Sequence, residues 1–186
     1  MRKKIIIYVL AMLPLFAMGQ KKFEPQLKVS YELGVDKYKN KSFGGELMAG
    51  YRISRDFRLG VGLGIYWCKH LYEEAHYNST IKYFIKEYRE TASYIPLFAN
   101  GKYNFETTSD WRPYLSIDLG YAIFNSYSNY AKDNSLGLFV RPALGIDYMI
   151  GKGALFVELG YKFQGREFQS VQMGYSQLTM SIGYQF

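Results

Sequence analysis

The chain has 186 residues and a formal charge of +7, with 19 tyrosines, 13 phenylalanines and 18 glycines but a single cysteine, Cys68. That length suits one domain, and a lone cysteine excludes an intramolecular disulfide. The charge is spread along the chain, with no basic run of the kind that grips nucleic acid.

The first element in chain order is an export signal. Arg2, Lys3 and Lys4 make a basic start, Ile5 to Met18 is apolar but too short to span a bilayer, and Ala17-Met18-Gly19 is a small-x-small site before Gln20. This pattern predicts a signal peptide over 1–19, cleaved after Gly19, and a domain over 20–186. The alternative is an uncleaved anchor. No cysteine stands at the cleavage point, which argues against a lipoprotein. Losing three cations leaves a mild basic excess. An exported chain without disulfides must gain its stability elsewhere. No second apolar run reaches transmembrane-helix length, so a chain that spans a membrane here does so as a closed sheet.

Eight segments then alternate with a period of two, the mark of a strand with two unlike faces. Leu27, Val29, Tyr31, Leu33 and Val35 interleave with Lys28, Ser30, Glu32, Gly34 and Asp36. Phe43 to Ile53 follows, with Gly44, Glu46, Met48, Gly50 and Arg52 on its second face. Phe57, Leu59, Val61, Leu63, Ile65 and Trp67 give the clearest case, set against Arg58, Gly60, Gly62, Gly64, Tyr66 and Cys68. The same alternation runs over 94–105, 115–123, 138–148, 155–163 and 178–186. One face is aliphatic with aromatics near its ends; the other carries glycine and charge. Each segment has about the length needed to cross a bilayer at a tilt.

The connections alternate too. Those at 54–56, 106–112 and 151–153 are short. Those at 70–87, 125–136 and 164–174 are longer, with a modest one at 37–41. Short periplasmic turns and longer outer loops are the outer-membrane arrangement, and an even strand count puts both termini in the periplasm. The expected fold is an all-β, eight-stranded, antiparallel up-and-down transmembrane barrel. Pro96 and Pro142 lie inside expected strands, and proline cannot donate to a ladder. A bulge or a locally broken pairing is expected at each.

A short echo recurs at Met48-Ala49-Gly50-Tyr51, Asp118-Leu119-Gly120-Tyr121, Glu158-Leu159-Gly160-Tyr161 and Ser181-Ile182-Gly183-Tyr184. Each sets glycine on the inner face and tyrosine on the outer. Tyr51, Trp67, Tyr121, Tyr148, Tyr161, Tyr184 and Phe186 are thus the expected aromatic girdle, since amphipathic rings favour membrane interfaces. The bland alternative is that aromatics simply favour strands.

Tyr94-Ile95-Pro96-Leu97-Phe98-Ala99-Asn100-Gly101-Lys102-Tyr103-Asn104-Phe105 resembles the central strand of the outer-membrane β-barrel domain family, often labelled porin-like. The Pro113-Tyr114-Leu115 strand after a short turn fits as well. The ending Tyr184-Gln185-Phe186 resembles the signal read by the barrel assembly machinery. The resemblance covers the whole mature chain. It implies fold, export and an integral place in a Gram-negative outer membrane, among its lipids and lipopolysaccharide. It carries over no catalytic residue.

The inner face carries Glu46, Arg52, Arg58, Asp118, Arg141, Asp147, Glu158 and Lys162. Opposite charges in a narrow barrel should pair, because an unpaired buried charge is very costly. The expectation is a network that fills the lumen, since small barrels have interiors packed with side chains. The alternative is a gated polar path. His70, His76 and Ser79, with Glu73 and Glu74 nearby, offer the makings of acyl transfer or hydrolysis on lipid, or of a weak metal site. Loop histidines are more often simply solvated. Tyr72, Tyr77, Tyr83, Tyr88, Tyr127 and Tyr130 suit either recognition or cross-strand packing above the membrane, the second being favoured. Cys68 has inward parity and reads as a small core residue. The reading is of a non-enzymatic barrel without cofactor or metal, of open oligomeric state, serving envelope integrity, surface binding or restricted transport. A lipid-modifying enzyme and a soluble lipocalin-like barrel stand as alternatives, the latter requiring the apolar face to point inward.

Overall fold

The computed structural model describes residues 22–35, 40–76, 84–127, 132–168 and 171–186, with side chains except at 69–92, 125–135 and 166–173. The expected signal segment and Ser79, Tyr77, Tyr83 and Tyr130 lie outside the described residues. The strands are β1 (Phe23–Gly34), β2 (Lys41–Arg52), β3 (Phe57–His76), β4 (Phe84–Asn104), β5 (Trp111–Tyr127), β6 (Lys132–Ile150), β7 (Gly153–Phe168) and β8 (Val171–Gln185). Each pairs antiparallel with its chain neighbour, and β8 returns to β1 to close the barrel. Closure leaves no sheet edge around the ring, which is how a sheet satisfies its backbone in lipid.

The alternation settles which face is which. On β3 the apolar series from Phe57 to Trp67 points outward, while Arg58, Gly62, Gly64, Tyr66 and Cys68 point in and are buried. The same holds around the ring, and Leu144 is 63% exposed. A continuous apolar outer wall of this kind is foreign to a protein surrounded by water. The inverted arrangement of a lipocalin-like barrel is therefore overturned.

Three of the longer connections are corrected. The segments 70–87, 125–136 and 164–174 are mostly strand: His76 pairs with Phe84, Tyr127 with Lys132 and Phe168 with Val171. β3 and β4 run to 20 and 21 residues, about twice the ~9–11 that cross a bilayer. The alternation in the sequence fades before the pairing ends, so the hairpins continue where the periodicity stops.

At the opposite end the turns are tight. Ile150 pairs with Gly153, and Gly151 takes a φ of 63° between them, a value that suits glycine in a two-residue hairpin. Ser54 Oγ accepts from Phe57 N at 3.1 Å in the β2–β3 turn.

Both prolines break one ladder without shifting register. The β3–β4 pairing runs to Leu63↔Leu97 and resumes at Tyr66↔Tyr94, skipping Pro96. The β6–β7 pairing stops at Val140↔Phe163 and resumes at Ala143↔Gly160, skipping Pro142. The other neighbour of each proline stays paired, Pro96↔Ala122 and Ile117↔Pro142. No bulge forms, and inward parity continues through both sites.

Candidate functional site

Among the described residues, polar and charged side chains gather in the lumen. Arg141 on β6 sits at its centre. Its Nη2 lies 2.6 Å from Asp118 Oδ2 and 2.8 Å from Glu46 Oε2, and its Nε donates to Asp118 at 2.8 Å. Lys28 on β1 adds a second cation, 2.9 Å from Glu46, 3.3 Å from Glu158 and 3.7 Å from Asp118. Neutral donors complete the carboxylates. Tyr66 Oη donates to Glu46 at 2.6 Å, Asn100 Nδ2 to Asp118 at 2.6 Å and Ser116 Oγ to Glu158 at 2.9 Å.

Two smaller groups flank this centre. Toward the long hairpins, Lys162 Nζ donates to Glu32 at 3.1 Å and to Tyr94 Oη at 2.8 Å, and Tyr94 Oη donates to Glu32. Toward the short turns, Lys102 Nζ lies 2.6 Å from Asp147 and 3.7 Å from the Tyr114 ring centroid. Such cation–ring contacts, once desolvated, are worth up to ~2 kcal/mol. Arg58 donates to Gln185 at 3.0 Å and to Asn100 at 3.3 Å.

Aromatic rings fill the space between. Tyr66 and Tyr94 stack at 4.8 Å, and Phe98 meets Phe139 edge-on at 6.1 Å. The inward glycines make this fit: a Cβ at Gly62 or Gly120 would strike Phe98. Cys68 is buried within this cluster, its Sγ 2.8 Å from Ser42 Oγ.

Seven of the eight residues expected to line the lumen are buried there. Arg52 differs. It pairs with Glu24 at the rim, its side chain 42% exposed, because it is the last residue of β2. Sequence reasoning missed Lys28, Glu32 and Lys102, although each carries the inward parity of its strand. Buried cations Lys28, Arg58, Lys102, Arg141 and Lys162 stand against carboxylates Glu24, Glu32, Glu46, Asp118, Asp147 and Glu158, and Arg52 evens the balance.

The outer aromatics lie in two bands. Tyr51, Trp111, Tyr148, Tyr184 and Phe186 are near the short turns, where Trp111 meets Tyr148 at 4.7 Å and Tyr184 meets Phe186 at 4.9 Å. Tyr31, Phe43 and Trp67 follow one another across β1, β2 and β3 toward the other end, with Tyr121 and Tyr161 on β5 and β7. Tyr161 and Tyr184 are half-buried and the other expected girdle residues exposed.

His70 and His76 lie on β3 opposite Glu90 and Phe84, and Tyr72 lies opposite Tyr88. Their side chains are outside the described ones. Among the described residues, no group of three His, Cys, Asp or Glu could hold a metal ion.

A closed eight-stranded barrel with an apolar exterior and a polar interior matches a known family over nearly all its length. The family model described as "Outer membrane protein beta-barrel domain" matches residues 6–186. The chain belongs to that family. It is an integral outer-membrane barrel of a Gram-negative envelope. No curated protein matches this outer-membrane barrel in sequence. Among solved structures it is similar to Neisserial surface protein A, with a TM-score of 0.63 at 18% identity, covering 88% of this chain and 95% of that one. It is also similar to the outer membrane protein OprG from Pseudomonas aeruginosa, with a TM-score of 0.51 at 12% identity, covering 89% and 96%. At these identities the likeness is one of fold.

Proposed function

We propose that this outer-membrane barrel is a non-enzymatic envelope protein whose lumen is a plug. It stabilises the barrel and presents the long hairpins at the surface, in a structural or surface-binding role. The observation that carries this reading is the balanced lumen. Its buried charges face opposite charges or amides, and aromatic rings occupy the space between them. A conducting path needs sites an ion can leave, and charges already paired at 2.6–2.9 Å offer few.

Residues 1–19 then serve as the export signal and 20–186 as the barrel. The long hairpins face outward and both termini face the periplasm. The two aromatic bands sit at the two interfaces, in contact with lipid and lipopolysaccharide. The terminal strand, ending at Phe186, is read by the barrel assembly machinery.

Planar-bilayer recording on the refolded protein tests the plug. We expect no stable open-pore conductance in the wild type. Discrete conductance steps that change in Arg141→Ala without loss of folding would sink the plug and favour restricted transport.

A further inference from the structure

The outer wall changes character at one level of its β1–β4 side. Tyr31, Phe43, Trp67 and Ser93 form a continuous cross-strand row. Between that row and the short turns, the outward positions of these four strands carry no charged residue. The next row toward the long hairpins is Leu33, Lys41, Lys69 and Thr91.

Two lysines therefore stand directly opposite each other on the outer face, and the Lys41 side chain is exposed. Like charges placed opposite across a sheet destabilise it. Arg89 holds the outer-face position of β4 one level further, opposite Leu71 and diagonal to Lys69. Diagonal neighbours lie ~7–8 Å apart, within reach of long side chains. The acids on the outer face of this hairpin, Glu73 and Glu87, are opposite each other two levels beyond the lysine row, ~13 Å further along the strands. Three cations on adjacent strands thus lack an acid at their own level, and an anion seated among them relieves the repulsion.

Height on the wall decides which anion. These are the first charges above an apolar surface, so the occupant carries its charge at the boundary between lipid and water and its apolar part below. A free anion gains nothing from Phe43 and Trp67. A zwitterionic phospholipid brings its own cation beside the phosphate, which three basic residues disfavour. A phosphorylated, acylated sugar brings none.

We propose that Lys41, Lys69 and Arg89 bind a phosphate of the acylated sugar anchor of lipopolysaccharide, with an acyl chain lying on Phe43 and Trp67. The assignment rests on the reading that the long hairpins face outward, and it is independent of the plug.

Native mass spectrometry of the refolded full chain, in micelles carrying bisphosphorylated lipid A, tests it by the lipid retained. One lipid A per barrel is expected, held at least ten-fold more tightly than dephosphorylated lipid A with the same chains. Lys41→Gln combined with Lys69→Gln should weaken retention at least ten-fold while the boiling-dependent gel shift persists. The double arginine variant should keep it, and so should Lys152→Gln, which removes an exposed lysine from the β6–β7 turn at the opposite end. Equal retention of the two lipids, unchanged retention in the glutamine variant, or an equal loss in Lys152→Gln overturns the site. Displacement of lipid A by equimolar inorganic phosphate assigns the cations to a free anion and overturns the lipid. If the double variant does not fold, Arg89→Gln decides, with a several-fold loss expected and no loss overturning the site. Micelles are blind to orientation, so failure there leaves the outward reading standing. An epitope between β3 and β4 that antibody cannot reach on intact cells overturns that reading, and lipopolysaccharide as the occupant with it.

Discussion

At the middle of the lumen, Arg141 is 1% exposed and holds Glu46 and Asp118 together. Removing it leaves two carboxylates with Lys28 as their remaining close cation. Breaking a buried pair by deleting one partner costs ~3–5 kcal/mol. Arg141→Ala should therefore unfold at lower urea than the wild type by that margin, read from the boiling-dependent gel shift or from tryptophan fluorescence. Arg141→Met should lose less, because it keeps volume beside Phe98, whose ring centre lies 5.5 Å from the guanidinium carbon. Much of this site is legible in the sequence, since parity alone assigns Glu46, Asp118 and Arg141 to the inside. Completing the same parity would have added Lys28, Glu32 and Lys102. Depth is another matter. Arg52 shares the parity of Glu46, yet its place at the strand end sets it at the rim, and a period of two carries no information about distance along the axis.

Each strand shows its apolar stretch plainly and its full length poorly. The pattern marks where lipid and lumen make opposite demands on adjacent residues. Beyond Cys68 the alternation in the sequence stops, yet β3 and β4 remain paired as far as His76 and Phe84. Proline left a legible mark at Pro96 and Pro142, where its missing N–H predicts the interruption. The β6–β7 interruption makes a further prediction. Pro142 is outward-facing and exposed, so a side chain there meets no lumen neighbour. Pro142→Thr restores an N–H toward Tyr161 and should gain about 0.5–1.5 kcal/mol, one hydrogen bond's net worth. Amide exchange across Pro142 to Phe163 should slow. Faster exchange or lower stability would show that the ladder is split there by something other than the imino ring.

The molecule as a whole turns the usual distribution of polarity inside out. Its belt of Leu47, Leu63, Leu97, Leu119, Leu144 and Leu159 is exposed on the outside, and its ionic groups are buried. Leu144 lies about midway between the Tyr148 and Leu138 levels of β6 and opposite Leu115 and Leu159. Leu144→Arg should destabilise the barrel in bilayers by ~2–4 kcal/mol, the cost of arginine at the midplane. In detergent micelles, which deform around a charge, the loss should shrink. An equal loss in both would place Leu144 away from the hydrocarbon centre. Fold class and membrane context were readable because they depend on a repeated pattern. The end of the β6–β7 ladder at Phe139↔Gln164 was not, since a period of two carries no information about where neighbouring strands stop pairing.

The strands that carry the lumen charges bear on how the protein reaches its final state. Arg141 on β6 depends on Glu46 on β2, and Lys28 on β1 depends on Glu158 on β7. Neither of these pairs can form within one hairpin, because each joins strands far apart in the chain. A half-built sheet in hydrocarbon would leave Lys28 or Glu46 short of a partner, a costly state. Closing the ring is therefore coupled to making the β2–β6 and β1–β7 salt bridges, which favour the complete barrel over a partial sheet.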